Sequence, residues 1–414
     1  MQNKKALVLA VSAALLVPMA AYAQKGGKGG GESDPDSVVE MYGKLYPEIV
    51  RQSGSGATQA GSTVATYAAA PTGAEQIITR NEMESSNSRL GFRGHEKLGG
   101  GLRAVWQLET EFHLDSNDSR FAQRDSYVGL KHDRWGLIKL GRFDTPFKEY
   151  GDDISFLGVS SGNFTSTSAV FRRFGFGTSN TARFHERAQN AVQYESPQIG
   201  GLDFKVQYST LENDTQQTGG VVRHPHWWSG GAKYELGNLA FMVGWEEHTD
   251  LFGLSNNVPT AMRNLNDVNA NSKDTAAAFA VTWKLGRHQF EFDINKKQWK
   301  ETGISATGRA SNYKNKAYIF LWDARWSDAW RTQIHYVKAE KGSCARVNAV
   351  CTTDGLDGTQ ISAGFAYYLS KRTYFFFMGQ LLKNGGSAIF ASGSQTPAVG
   401  EDVKQVAAGI NTSF

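Results

Sequence analysis

Between Gly101 and Phe112 the sequence reads GLRAVWQLETEF, and its alternate residues belong to two different surfaces. Leu102, Ala104, Trp106, Leu108, Thr110 and Phe112 form one set; Arg103, Val105, Gln107, Glu109 and Glu111 form the other. A β-strand sends successive side chains to opposite faces, so this segment has one mainly apolar face and one mainly wet face. The stretch before it, Ser88 to Gly94 (SRLGFRG), repeats the pattern, with Leu90 and Phe92 opposed to Arg89 and Arg93. Segments of about ten residues that alternate in this way are the signature of strands crossing a membrane in a closed barrel.

Working outward, short turns and long polar segments take turns along the chain. The short ones are 96–100, 132–134, 197–200, 236–238, 285–287, 327–329 and 370–372; the long ones are 51–77, 113–122, 143–187, 212–225, 250–272, 300–311, 341–357 and 384–400. Barrels of this kind have short turns at one rim and long loops at the other. The expected fold is therefore all-β: a transmembrane antiparallel β-barrel of about sixteen strands over residues 38–414, an even number that returns both ends to one side. A mean hydropathy of −0.42 fits, because only alternate residues need to meet lipid. Only 9 prolines are present, as long hydrogen-bonded strands require. A soluble β-protein of the periplasm is the competing reading, but its strands would be shorter.

Lys4 and Lys5, the apolar run from Ala6 to Ala20 and the small-x-small Ala21-Tyr22-Ala23 read as a signal peptide over 1–23. Residues 24–37, rich in glycine, read as a flexible leader. The net charge of +4 includes Lys4 and Lys5 and falls to +2 without them, too weak to suggest nucleic acid. Cys344 and Cys351 share one polar segment and are expected to form a disulfide in an oxidising compartment. No nucleotide-binding or nucleophile motif surrounds the nine scattered histidines, so neither cofactor nor catalysis is expected. Aromatic residues cluster near strand ends: Trp227, Trp228, Trp283, Trp299, Trp322, Trp326, Trp330 and the run Tyr374 to Phe377. Girdles at the two membrane interfaces would account for them.

The chain resembles the general diffusion porins of Gram-negative bacteria, most closely the betaproteobacterial type. The matching stretches are VVEMYGKL (Val38 to Leu45), SRLGFRG, RDSYVGL (Arg124 to Leu130), LGR (Leu140 to Arg142), QNAVQYESP (Gln189 to Pro197), YYLSKRT (Tyr367 to Thr373) and the final AGINTSF (Ala408 to Phe414). The resemblance implies an outer-membrane location, passive diffusion of small hydrophilic solutes, a homotrimer, and recognition of Phe414 by the barrel-assembly machinery. It implies too that segment 143–187, the third loop, folds inward as a constriction. Its acids Glu149, Asp152 and Asp153 would then face a cationic wall of Arg89, Arg93, Arg124 and Arg142, giving a transverse field. The charge inventory predicts a mild preference for anions. A substrate-specific channel and an outer-membrane barrel enzyme are the alternatives. Pro47, within Lys44 to Glu48, departs from the family and should interrupt pairing locally.

Overall fold

The computed structural model describes residues 37–59, 72–85, 87–116, 121–151, 154–159, 163–176, 182–210, 216–218 and 221–414. The expected signal peptide and all of the leader except Ser37 lie outside them. Sixteen strands close into one antiparallel barrel. The first two are each in two pieces: β1 (Ser37–Leu45 and Glu48–Ser55) and β2 (Arg80–Glu84 and Arg89–Gly99). They are followed by β3 (Leu102–Glu111), β4 (Ser126–His132), β5 (Gly136–Asp144), β6 (Arg187–Glu195), β7 (Leu202–Ser209) and β8 (His226–Leu236). The circuit continues with β9 (Leu239–Thr249), β10 (Asn271–Leu285), β11 (His288–Thr302), β12 (Ala310–Arg325), β13 (Trp330–Ala339), β14 (Gly358–Tyr368), β15 (Thr373–Asn384) and β16 (Asp402–Ser413).

The barrel is sealed where β1 meets β16. Lys44 pairs with Ser413 and Ser55 with Asp402, in one register that runs straight past Pro47. Against β2 the same break costs one residue of register, since Lys44 faces Arg89 while Glu48 faces Glu84. The proline lacks a donor for the ladder, and the Ser88 hydroxyl accepts a bond from the Tyr46 amide in the gap (2.8 Å). The hairpin β8–β9 turns on Gly237–Asn238, with Gly237 at φ +60°, the left-handed position that a two-residue turn needs from glycine.

Period-two alternation sorts the wall. Phe375 and Phe377 of β15 face outward, half exposed, whereas Tyr374, Phe376 and Met378 between them are buried inside. That sorting corrects the expected girdles in part. Trp228, Trp283, Trp326 and Trp330 are exposed, but Trp227 and Trp299 point inward and are buried. Trp299 packs edge-on against Phe174 at 4.3 Å, and Trp227 stacks on His248 at 4.6 Å. An aromatic at an inward position meets the barrel's interior, which for Trp299 is the third loop, not lipid.

That loop, between β5 and β6, carries two one-turn helices, α1 (Pro146–Glu149) and α2 (Ser168–Phe171). It turns into the barrel and is held there by an apolar underside: Phe147, Phe156, Phe164, Phe171, Phe174, Phe176 and Phe184 are all essentially inaccessible to solvent. They pack on inward residues such as Ala276, Tyr313, Ile319, Leu321, Ala366 and Met378. Burying a phenylalanine is worth about 1.5–3 kcal/mol, so the loop is anchored as a domain core is.

Candidate functional site

Polar groups of the inner wall hold the loop's backbone. The Phe147 amide donates to Ser229 of β8 (3.0 Å) and the Ile154 amide to Glu291 of β11 (2.8 Å). The Phe171 carbonyl, at the end of α2, accepts from Asn295 (2.7 Å) and Lys297 (2.6 Å), both of β11. The Leu157 carbonyl accepts from Tyr374 of β15 (2.8 Å). Arg172 is fully buried between the rings of Phe147 and Phe171 and donates to the carbonyls of Phe147 and Gly151. These bonds satisfy backbone that a purely apolar contact would leave unpaired.

With the loop packed against β8–β16, a polar cavity of about 480 Å³ remains between it, the ends of β3–β6 and the loop after β15. Arg124, Arg142 and Arg187 line it from the wall, and Lys148, Arg173 and Arg183 from the third loop. Among the described residues, two carboxylates join them, Glu111 and Glu186, and Glu186 is paired with Arg183. Burial, then the nearby Arg183, brings the Arg173 pKa down to about 10, which leaves it charged at neutral pH. His185 also lines the cavity, and burial together with Lys148, Arg172, Arg183 and Arg173 holds its pKa well below the usual value. Arg124 is paired with Glu109, Lys148 with Asp144, and Arg187 with Asp125 and Asp144, so the described lining carries a small cationic excess.

Of the acids expected to oppose the arginines, Glu149 lies among the described residues. Arg124 and Arg142 line the cavity, and Arg124 is also bonded to Glu109 at 2.5 Å, which in turn accepts from Tyr42 (2.9 Å). Arg89 lies on the inner face of β2, opposite Lys44 on one side and Glu111 on the other. Arg93 faces inward too, but nearer the rim of the short turns, where it is half exposed and forms a two-pronged bond with Glu40 at 2.9 Å. Glu149 does not face these arginines; it pairs with Lys205 of β7, while burial pushes its carboxyl pKa up against that pull. Asp144 is matched by Lys148 (3.0 Å) and Arg187 (2.8 Å). Asp152 and Asp153 lie outside the described residues. Among the described residues, both the wall and the third loop supply cations to the cavity, and the loop acid Glu149 is taken up by Lys205 of the wall.

Arg142 reaches the cavity through an irregularity. Strict alternation from Leu140, which is exposed on the outer face, would turn Arg142 outward as well. The ladder between β5 and β6 slips between Gly141 and Phe143, opposite Asn190 at φ +46°. A side chain on Gly141 (φ +149°) would strike the Ser126 carbonyl at 2.2 Å. Such bulges re-aim side chains. Cys344 and Cys351 are bonded, in the loop between β13 and β14. Phe414 exchanges backbone hydrogen bonds with Gly43 (3.1 and 3.2 Å) at the barrel seam.

Sequence reading missed the seven phenylalanines as loop anchors, although FRRFGF at Phe171–Phe176 was in plain view. It also missed Arg187 and Arg183 as cavity groups.

A family model described as Gram-negative porin matches residues 9–387. The chain is 31% identical over 140 residues to a major outer membrane protein P.IB of Neisseria gonorrhoeae, a match covering 33% of this chain and 36% of that one. The corresponding protein of Neisseria sicca is 30% identical over 159 residues, covering 38% and 42%. The chain thus spans under half the length of these curated relatives. Among solved structures, it is similar to an anion-selective porin from Comamonas acidovorans, with a TM-score of 0.64 and 20% identity over 91% of this chain and 100% of that one. It is also similar to OmpT of Vibrio cholerae, with a TM-score of 0.58 and 13% identity over 92% and 99%. At such identities the likeness concerns the fold.

Proposed function

The chain belongs to the Gram-negative porin family, and from that premise we propose that it is a water-filled channel of the outer membrane for passive diffusion of small hydrophilic solutes, with a mild preference for anions. The observation that carries this reading is the cavity inside a closed barrel, where the described lining has six cations and two carboxylates and keeps a small positive excess after Glu109, Asp125 and Asp144 are counted as partners. Fixed positive charge in a confined aqueous path raises the local anion concentration and repels cations. Arg124, Arg142, Arg173, Arg183 and Arg187 are the residues to which we assign selectivity, with Lys148. Arg89 and Arg93 extend the cationic path along β2, and Arg93 contributes less because Glu40 offsets it.

The protein assembles as a homotrimer, each copy with its own pore; the short strands β3–β5, of 10, 7 and 9 residues against 15, 15 and 16 for β10–β12, leave a low side of the barrel suited to such contacts. The barrel-assembly machinery engages β16 and Phe414, which complete the seam. Planar-bilayer recording tests the main reading. Stepwise ohmic insertions with a reversal potential on the anion side are expected; purified, folded protein that never conducts would refute it. Mass measurement in detergent tests the trimer.

A further inference from the structure

We propose that the outer face of β11–β13 carries a binding site for phosphate groups of lipid headgroups in the outward-facing leaflet of the membrane. Lys296, Lys314, Lys316 and Lys338 sit there, all exposed on the outward side of three adjacent strands. They surround a groove of about 690 Å³ at the place where β13 leaves β12 and the short strand Ser343–Arg346 takes over its pairing. Asn315, Gly342 and Ser343 also line the groove. Two carboxylates share the lining, Glu340 and Asp357, and Glu340 already accepts a bond from Tyr318 (2.7 Å). Lys341 is matched by Asp354 at 2.6 Å. None of the four strand lysines has an ion-pair partner among the described residues.

Their arrangement is unfavourable without an external anion. Lys296 and Lys316 are directly opposed across β11 and β12, and like charges so placed repel. Two residues farther up β12 stands Lys314, and Lys338 faces Tyr318 across β12 and β13. Height along the wall identifies the anion. Below the lysines the outward residues become Tyr318, Phe320 and Trp322 on β12 and Tyr336 and Ile334 on β13, ending at the exposed Trp326 and Trp330. Ten residues separate Lys316 from Trp326, which at ~3.3 Å per residue and a tilt of ~40° is about 25 Å, the height of a barrel's apolar band. The lysines stand at the loop-side edge of that band, level with headgroups and on the side of the long loops. A multiply anionic, membrane-held headgroup satisfies several lysines together, and a lysine stem can reach it from the band's edge.

The test uses the purified full-length protein in detergent, titrated separately with lipid A carrying both phosphates, with dephosphorylated lipid A and with phosphatidylcholine. The wild type is expected to bind the phosphorylated form at least tenfold more tightly than the other two. Each lysine near an anionic headgroup contributes roughly fivefold, so K296Q/K314Q/K316Q/K338Q is expected to abolish the preference and the matching arginine variant to retain it. A preference that survives in the glutamine variant, or is absent from the wild type, overturns the proposal. Displacement of the lipid by an equal concentration of inorganic phosphate would make this a free-anion site and overturn it too. The lysines lie outside the channel, so conductance of the glutamine variant is expected to be unchanged, which also reports that it is folded.

Discussion

Replacing Arg142 and Arg173 by glutamine removes two of the six described cavity cations and is expected to lower the chloride-to-potassium ratio about sevenfold in 0.1 M salt, enough to abolish or reverse a mild anion preference. A cavity of about 480 Å³ has a radius of ~5 Å, so a lining charge stands ~7 Å from a central ion and interacts with it by ~0.6 kcal/mol in water. Screening over a Debye length of ~10 Å at 0.1 M halves this to ~0.3 kcal/mol. The effect has opposite sign for chloride and potassium, so two charges shift their ratio by ~1.2 kcal/mol, a factor of about seven. Reversal potentials across a potassium chloride gradient measure that ratio directly. In 1 M salt the Debye length is ~3 Å and the difference between the proteins should shrink to less than about twofold. Refutation would be an unchanged reversal potential at 0.1 M in protein that still conducts, or a shift that persists undiminished at 1 M. Either result would mean that the cavity is not on the ion path.

Three further outcomes follow from the loops. The neutral, buried His185 makes docking of the third loop sensitive to acid: its pKa is lowered in the folded loop, so the unfolded loop binds more protons below about pH 6.5. Docking should be at full strength above that pH and weaken as pH falls, seen as rising current noise towards pH 5, and His185→Gln should flatten the response. Arg172→Met leaves the carbonyls of Phe147 and Gly151 without their buried donor, at about 3 kcal/mol. Frequent current flickering is expected, and recordings as quiet as the wild type would count against the anchoring role. The disulfide joins residues seven apart, for which chain entropy allows about 2.5 kcal/mol. The C344S/C351S variant should be cut faster by trypsin in the loop between β13 and β14, with the barrel's resistance to detergent unchanged.

How much of this could be read in advance depends on how local each feature is. Alternation in segments such as Gly101 to Phe112, with the short turns at Gly237 and Gly286, was enough for strand number, pairing order and the side of the wall on which Leu108 or Phe375 falls. These are period-two and nearest-neighbour properties, and lipid on one face with water on the other enforces them strand by strand. The same rule put Arg89 and Arg93 inside the barrel. It said nothing of what else is inside, which is why Trp227 and Trp299 were expected in a girdle. Long-range contact decided the rest. Whether Glu149 meets arginines or Lys205 depends on where the loop's phenylalanines settle on strands more than a hundred residues away. Arg142 lines the cavity because of a slip between two strands, and the four outer lysines gather only when β11, β12 and β13 lie side by side. Charge and residue type were in the sequence, but which charges share one small volume is a property of closure and register, and those exist only once the whole sheet has formed.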